Sequence, residues 1–240
     1  MRISLQPAFV LHLRPYRETS VLLDLLTLDH GRISLVARGV RQNKSRLRPI
    51  LQPFLPLLVS WQGKGDLGTL LTVEPNGYPT RLIGECLLSG LYLNELLMRV
   101  LHKHDPYPQL YTIYQGTLLE LQGAKVEEKR LRLFEKKLLE EVGYGLRLDC
   151  EVSSQKPLEA ENDYHFLPEH GFELASESSH IATSFSGKSL LALAREELED
   201  EICLRDAKRL MRLALAPLLG QSRLYSRQLF MRKVKVSSDE

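Results

Sequence analysis

The fold of this 240-residue chain is constrained most by a change of pattern near Thr80. Before this point the sequence consists of short runs rich in Val, Leu, Ile and Phe that end in turn residues, a pattern typical of strands. The five runs cover residues 8–16, 20–29, 31–39, 53–61 and 67–75. Because no helical pattern separates them, we predict a small antiparallel barrel. An OB-type barrel has five strands, although the spacing also suits an SH3-like barrel or half of a β-sandwich.

After Thr80, apolar residues recur at helical spacing. We predict helices over residues 83–101, 109–122, 127–143, 187–198, 204–219 and 225–233. In the first helix, Leu87, Leu91, Leu97 and Leu101 are expected to share one buried stripe. Residues 146–186 are irregular, with a small hairpin predicted at 164–174. The chain is therefore predicted to be an α+β multidomain protein: a five-stranded OB-type β-barrel at 1–79, then an all-α helical domain at 80–240 with an irregular insert.

Composition limits the class of protein. Polar and charged residues interrupt the N-terminal segment before a secretory core could form. The most apolar long stretch, residues 81–104, contains Glu85, Asn94, Glu95 and Arg99, so we interpret it as a buried helix. The three cysteines stand far apart with no Cys-x-x-Cys pair, which disfavours a disulfide framework and a structural zinc site. These features predict a cytoplasmic globular protein.

The formal net charge of +2 conceals an uneven distribution. Residues 1–80 carry ten Lys/Arg against five Asp/Glu, residues 81–204 carry 13 against 22, and residues 205–240 carry nine against three. Two basic ends therefore flank an acidic middle. Such asymmetry points to a polyanionic partner.

The segment between the third and fourth predicted strands concentrates this charge. It carries five cations and no carboxylate: Arg38, Arg41, Lys44, Arg46 and Arg48. Phosphates would supply the missing negative charge, and counterion release would make such binding salt-sensitive. Further cations predicted in or near barrel loops extend the patch, with two aromatic residues as candidates for base stacking; these are Arg14, Arg17, Arg32, Lys64, Tyr16 and Trp61. The plain alternative is a solvated basic loop.

Two helices carry further basic patterns. Arg205, Lys208, Arg209 and Arg212 follow i, i+3, i+4, i+7 spacing and are expected to project from one face, either toward DNA or merely into solvent. Lys125, Lys129, Arg132 and Lys136 form a second stripe beside apolar residues, which could receive an acidic peptide ending in an apolar side chain. On the residues alone we favour a simpler interpretation of this stripe, an i, i+4 pair between Glu128 and Arg132.

Signals for an enzyme are weak. Residues 186–189 read Ser-Gly-Lys-Ser, but the earlier glycine of a phosphate-binding loop is replaced by Ala182. His102 and His104 lie at a helix end, where they are expected to be solvent-exposed. We therefore predict a non-enzymatic protein without cofactor or metal. The alternatives are a nuclease or nucleotide hydrolase, and a protein-binding scaffold with incidental DNA affinity.

Several segments together resemble the RecO family of DNA repair proteins. They include Arg14-Pro15-Tyr16 followed by Glu18-Thr19-Ser20, the basic loop, residues 89–101 with Tyr92-Leu93-Asn94-Glu95-Leu96, residues 131–150 and residues 206–220. The resemblance covers nearly the whole chain, with 151–186 the least similar part. Where many members carry two Cys-x-x-Cys pairs, this chain has Cys150 with Ser153 in the partner position, so zinc is not expected and apolar packing should hold 146–186.

The resemblance implies an OB fold followed by a helical domain, and a nucleoid-associated protein. It implies binding of single- and double-stranded DNA, annealing of complementary strands, and cooperation with RecR in loading RecA onto DNA coated by single-stranded DNA-binding protein (SSB). It also implies binding of the acidic, Phe-ending SSB tail by the helical domain, which places the tail at Lys129, Arg132 and Lys136. The leading DNA contact becomes the loop from Arg38 to Arg48.

Overall fold

A computed structural model describes residues 2–63, 65–123, 127–176, 183–220 and 224–229. The chain divides into two compact units, one formed by residues 1–126 with 223–240 and the other by residues 127–222. The change from strands to helices lies after residue 75, as the sequence predicted. The two compact units do not divide at this point. The first two helices belong to the same unit as the strands, so the division falls after residue 126.

The first unit contains a closed barrel with strand order β1-β2-β3-β5-β4. Its strands are β1 (Arg2–Tyr16), β2 (Ser20–Thr27), β3 (Gly31–Ala37), β4 (Leu57–Gln62) and β5 (Gly68–Pro75). The five predicted strands are confirmed, but the barrel is not wholly antiparallel, since β3 pairs with β5 in parallel. In a ring with an odd number of strands, directions cannot alternate all the way round. One parallel pair is therefore unavoidable.

The barrel core follows from side-chain alternation along the strands. Residues that face each other across β2 and β3 are buried on one side of the sheet, in the register Val21 to Ala37, Leu23 to Leu35 and Leu25 to Ile33. Leu57, Val59 and Trp61 contribute the same pattern from β4. Trp61 is only 9% exposed, so it belongs to this core.

The predicted hairpin between β2 and β3 is confirmed, and Gly31 makes it possible. Its φ of 62° lies in the left-handed region that glycine adopts readily. The Thr27 hydroxyl donates to the Gly31 carbonyl at 2.7 Å and accepts from the His30 amide at 3.2 Å. The backbone of Asp105 passes so close that a Cβ on Gly31 would lie 1.8 Å from its carbonyl oxygen. The turn is therefore fixed by conformation and by packing.

Helices α1 (Gly84–Val100) and α2 (Pro108–Glu120) complete the first unit together with its C-terminal segment. The Asn94 side-chain amide donates to the carbonyl of Leu11 at 3.0 Å, and its oxygen accepts from the Tyr114 hydroxyl at 2.5 Å. This contact turns the Asn94 face of α1 toward β1. Of the predicted stripe, Leu97 and Leu101 are buried, but Leu87, in the first turn of α1, is 38% exposed.

Residues 225–229 are helical, which confirms the first part of the helix predicted at 225–233; the remainder lies outside the described residues. Glu95 of α1 holds this segment, accepting from the Tyr225 amide at 2.9 Å and from the Ser226 hydroxyl at 2.6 Å. Burial pushes the pKa of Glu95 upward, but hydrogen bonds from Ser226 and Tyr225, with Arg99 nearby, outweigh it and leave the pKa below 4.5.

Acidification should release this contact. Because the folded state lowers the pKa of Glu95 below 4.5, the ionised carboxylate stabilises the first unit fully above that pH. The stabilisation is lost as pH falls through the lower, folded pKa. Urea unfolding of the wild type between pH 7 and 3 should therefore show a steeper loss of stability below about pH 4.5 than Glu95→Gln. Parallel curves for the two proteins would contradict the assignment.

The second unit combines helices with a small sheet. Its elements are α3 (Glu128–Glu141), β6 (Asp163–Leu167), β7 (Gly171–Leu174), β8 (Ser184–Ser186), α4 (Gly187–Ala194) and α5 (Glu201–Leu219), with sheet order β7-β6-β8. The hairpin predicted at 164–174 is confirmed. Strand β8, which was not predicted, adds a third strand to it, so the second unit is not all-α. As expected, apolar side chains hold the insert; the buried ones are Leu148, Leu158, Tyr164, Phe166, Phe172 and Phe185.

The Ser-Gly-Lys-Ser run at 186–189 has a local structural role. The Ser186 hydroxyl accepts from the Ser189 amide at 3.2 Å and caps the start of α4. A serine at this position satisfies one of the free amides of a helix N-terminus. The motif is thus a strand end followed by a capped helix.

Candidate nucleic-acid interface

The loop between β3 and β4 presents its cations to solvent. Arg38, Arg41, Lys44, Arg46 and Arg48 are all exposed. Within the described part of the chain, none of these five forms an ion pair with a carboxylate. Because like charges at short spacing repel, this loop is an unsatisfied positive surface that a polyanion would complement.

The loop is attached firmly to the barrel despite its exposed cations. Val40 and Leu51 near its two ends are buried in the barrel core. Backbone hydrogen bonds fold the segment between them into successive turns, from Gln42 to Gly39 and from Leu51 to Leu47. Pro53 then bridges to Val10 of β1. Turns anchored in this way hold the charged side chains on a defined surface.

The turn between β1 and β2 joins the same surface. The Arg41 guanidinium donates to the carbonyl of Arg17 at 3.0 Å, and the Arg41 amide donates to the carbonyl of Thr19 at 2.9 Å. Arg17 in turn lies over the Tyr16 ring, 5.2 Å from its centre. Arg14, two residues earlier on β1, is exposed. The structure therefore brings Arg17 and Tyr16 together with the loop, and Arg14 lies two residues before Tyr16 on the same strand.

The residues near the other barrel loops differ from expectation. Arg32 lies on β3 and its Nε donates to the Leu101 carbonyl at 3.0 Å, so part of its donor capacity is used within the unit. Trp61 is not available as a stacking platform, because it lies in the core with its ring edge-to-face with His30 at 5.3 Å. Lys64, also predicted to contact DNA, lies outside the described residues.

The predicted basic face of α5 is only partly available. Arg205 and Arg212 are exposed. Lys208 donates to Glu128 at 2.5 Å, and Arg209 donates to Asp206 at 2.8 Å. Arg209 also donates to the Ser184 carbonyl at 2.9 Å and lies 4.7 Å from the centre of the Phe185 ring. Of the four cations expected to project from one face toward DNA or solvent, Lys208 and Arg209 are therefore engaged by partners within the second unit.

This difference predicts separate effects of substitution within α5. Arg209→Ala should lower the free energy of unfolding by about 2 kcal/mol, because the carboxylate of Asp206 loses its charged partner. It should leave the salt dependence of DNA binding unchanged. Replacement of Arg205 and Arg212 by alanine should do the reverse, lowering DNA affinity without altering stability. Chemical denaturation measures the stability of both variants, and DNA titration measures their affinity. Equal losses of DNA affinity in the two variants would contradict the prediction.

The predicted stripe on α3 is largely buried. Arg132 donates to Glu135 at 2.8 Å with both side chains almost inaccessible, at 7% and 1% exposure. Lys136, 9% exposed, donates to the carbonyls of Leu193 and Ala194 at the end of α4 and to Glu196. The pair expected between Glu128 and Arg132 does not form, because Glu128 instead accepts from Lys208.

Two further lysines of α3 form ion pairs, and one of them, Lys137, shares Glu196 with Lys136. Lys129 is paired with Glu199. Burial raises the pKa of Glu196, but hydrogen bonds from Lys137 and Lys136 outweigh it, so the pKa lies below its usual value. Hydrogen bonds to Glu196 and Glu140 raise the pKa of Lys137. Lys125, the first residue of the predicted stripe, is outside the described residues. Of the described residues of the stripe, Arg132 and Lys136 are therefore largely buried in ion pairs, whereas Lys129 forms its pair nearer the surface.

Sequence reasoning did not find the link between Arg41 and Arg17. The two residues are 24 positions apart, and no pattern in the sequence connects the β1–β2 turn with the basic loop. In the sequence, Asn94 and Glu95 stand out only as polar residues within an apolar stretch and as part of a family motif. Their roles, holding α1 to β1 and holding residues 225–226, emerge from the structure.

The described residues contain neither a metal-binding cluster nor a membrane-spanning helix. No three His, Cys, Asp or Glu side chains there lie together in a way that could hold a metal ion. None of the described helices has the length and apolar character needed to cross a bilayer.

Comparison with known proteins agrees with the barrel and the helical region. The family model of the Recombination protein O N terminal domain matches residues 1–78, and that of the C terminal domain matches residues 84–228. The chain belongs to the RecO family. The boundary between the two RecO matches coincides with the end of β5 and the start of α1. The closed barrel is accordingly OB-like, and the SH3-like barrel and the half sandwich are excluded.

Individual members of the RecO family are similar over almost their whole length. The DNA repair protein RecO of Coxiella burnetii is 50% identical over 230 residues, covering 95% of this chain and 98% of the relative. The protein of the same name from Nitrosococcus oceani is 46% identical, with 95% and 93% covered. That from Photobacterium profundum is 41% identical, with 96% and 97% covered.

Proposed function

We propose that this protein is a DNA-binding mediator of recombinational repair that acts without catalysing a reaction. The proposal rests on one observation: an OB-like barrel of the RecO family carries five exposed loop cations without carboxylate partners among the described residues. Affinity comes mainly from phosphate contacts, with base stacking as a second contribution. Since neither reads sequence strongly, binding is largely independent of sequence and extends to single- and double-stranded DNA.

Annealing follows from neutralisation of charge. Two complementary strands repel each other through their phosphates, and cations that bind both strands reduce this repulsion. The loop in the first unit and Arg205 with Arg212 in the second unit are the two basic surfaces that serve this purpose. By family resemblance, the protein then cooperates with RecR in loading RecA onto SSB-coated DNA.

The SSB tail is proposed to bind the second unit at Lys129, Arg132 and Lys136. An acidic peptide matches the charge of these residues. Since Lys129 is paired with Glu199, Lys136 with Glu196 and the buried Arg132 with Glu135, tail carboxylates must take the place of those glutamates. Lys129 provides the first contact, because its side chain is the most exposed of the three.

A titration of labelled single-stranded DNA at several salt concentrations, with and without an SSB tail peptide, tests the proposal. We expect tight binding at low salt and a linear fall of log affinity with log salt. Absence of binding at low salt would favour a protein-binding scaffold, because electrostatic binding is strongest there. Turnover of DNA or nucleotide by the purified protein would instead indicate an enzyme.

A further inference from the structure

A cleft of about 370 Å³ lies beside the basic loop at the mouth of the barrel. Its floor is apolar, and its rim is polar and charged. The floor is formed by Leu13 and Pro15 over the almost inaccessible core residues Val21, Val40 and Leu51, and the rim by Arg41, Arg48 and Gln52. Small-ligand sites typically have about 300–1,000 Å³ and combine an apolar lining with a few polar groups. This cleft has both properties.

From this cleft we infer a binding pocket for a single unstacked base of single-stranded DNA, with the flanking phosphates at Arg41 and Arg48. The inference rests on the proposed DNA-binding function and assigns a base contact of that function to one place on the barrel. A nucleobase presents flat apolar faces, which an apolar floor accepts, and the planar guanidinium of arginine stacks on bases. The phosphates on either side of that base carry the charge that the rim arginines complement.

The rim is organised before any ligand arrives. One N–H donor of Arg41 is used on the Arg17 carbonyl at 3.0 Å, which holds the guanidinium beside the cleft and leaves the side chain exposed. Val40 and Leu51, buried in the core, fix the position of the loop on both sides. A site with its parts held in place loses less conformational entropy on binding.

The floor also predicts what the pocket does not recognise. Its five residues are Leu, Pro and Val, whose side chains offer no hydrogen-bond donor or acceptor to a base edge. Gln52 at the rim is the one uncharged polar side chain among the lining residues. The pocket therefore accepts any base, and it serves to hold a strand unstacked rather than to read its sequence.

The test compares two oligonucleotides of about 16 nucleotides. One is a normal single strand, and the other has abasic nucleotides in its central part, with the same number of phosphates. At one salt concentration, we expect the wild-type protein to bind the abasic strand about ten-fold more weakly, since stacking contributes about that factor per base. Anisotropy titration measures both affinities.

Filling the cleft should remove this difference. Gln52→Trp places a large side chain at an exposed rim position, so the barrel should tolerate it. We expect its affinity ratio for the two strands to fall toward one, with an unchanged salt slope because Arg41 and Arg48 remain. Asn43→Trp, in the same loop but outside the cleft, is the matched control and should keep the ratio. Leu13→Phe fills the cleft from the floor and provides a second, independent variant.

The outcomes separate this inference from the proposed function. Equal binding of both strands by the wild type, or an undiminished ratio in both filled variants, overturns the base pocket while DNA binding stands. If the filled variants keep the difference between the two strands but lose affinity for an acidic, Phe-ending peptide, the cleft is a peptide site. That result would also overturn the base pocket. Failure of the wild type to bind either strand at low salt would refute the DNA-binding function itself.

Discussion

Replacing Arg38, Arg41, Lys44, Arg46 and Arg48 by alanine is expected to lower the affinity for single-stranded DNA on the order of 100-fold at about 0.15 M salt. All five side chains are exposed, and none is paired with a carboxylate in the described residues. Each phosphate contact contributes about 0.7 to the slope of log affinity against log salt for a single strand. Loss of several contacts should therefore flatten the slope by about two to three units.

A control must remove equal charge elsewhere. Arg81, Lys103, Lys156, Lys188 and Arg195 are also exposed, and their replacement by alanine changes the net charge by the same amount. This control should retain most of the affinity and the slope. The same two variants should differ in annealing of complementary strands. If the loop variant bound and annealed like the control at every salt concentration, the loop would not be the DNA contact.

Gly31→Ala is expected to lower the free energy of unfolding of the first unit by about 3 kcal/mol or more, from two costs. The left-handed conformation at φ 62° costs about 1–2 kcal/mol for a residue with a Cβ. In addition, the new methyl group would lie 1.8 Å from the Asp105 carbonyl oxygen, so the backbone of that segment must move. Overpacking of this kind typically adds about 1–3 kcal/mol. Urea unfolding monitored by the fluorescence of Trp61 provides the measurement.

Gly39→Ala is the matched control, because only one of the two costs applies. Gly39 has a φ of 72°, but the nearest atom to its Cβ position is the Gln42 side-chain oxygen at 3.5 Å, an ordinary contact. Its substitution should cost only about 1–2 kcal/mol. Similar losses for both variants would show that close approach to Asp105 does not constrain the hairpin.

The barrel could be predicted because its signals are local. Alternating apolar residues and turn residues define each strand within a few positions, and Gly31 marks the hairpin. Exposure of the basic loop was also predictable, since a run with five cations and no carboxylate has no internal partner to bury it. The parallel pairing of β3 with β5 follows from closure of the ring, which no single strand reveals.

Patterns of spacing failed where partners come from distant elements. Helical periodicity places Arg209 beside Arg205 and Arg212, but it cannot show that Phe185 and Ser184 lie against Arg209. In the same way, the spacing on α3 suggests a surface stripe, whereas Lys136 reaches the end of α4. Strand β8 is only three residues long and has no periodicity of its own, so it depends on pairing with β6.

The anchoring of the basic loop by Val40 and Leu51 has a consequence for how such a chain can change over evolution. Since both ends are fixed in the barrel, and Leu47 and Ile50 between them pack against its core, exposed residues of the loop can be added or exchanged with little effect on folding. Doubling the length of a flexible loop costs only about 0.6 kcal/mol. Descendants can therefore change their affinity for a polyelectrolyte through insertions and substitutions of charged residues in this loop, while the barrel keeps its structure.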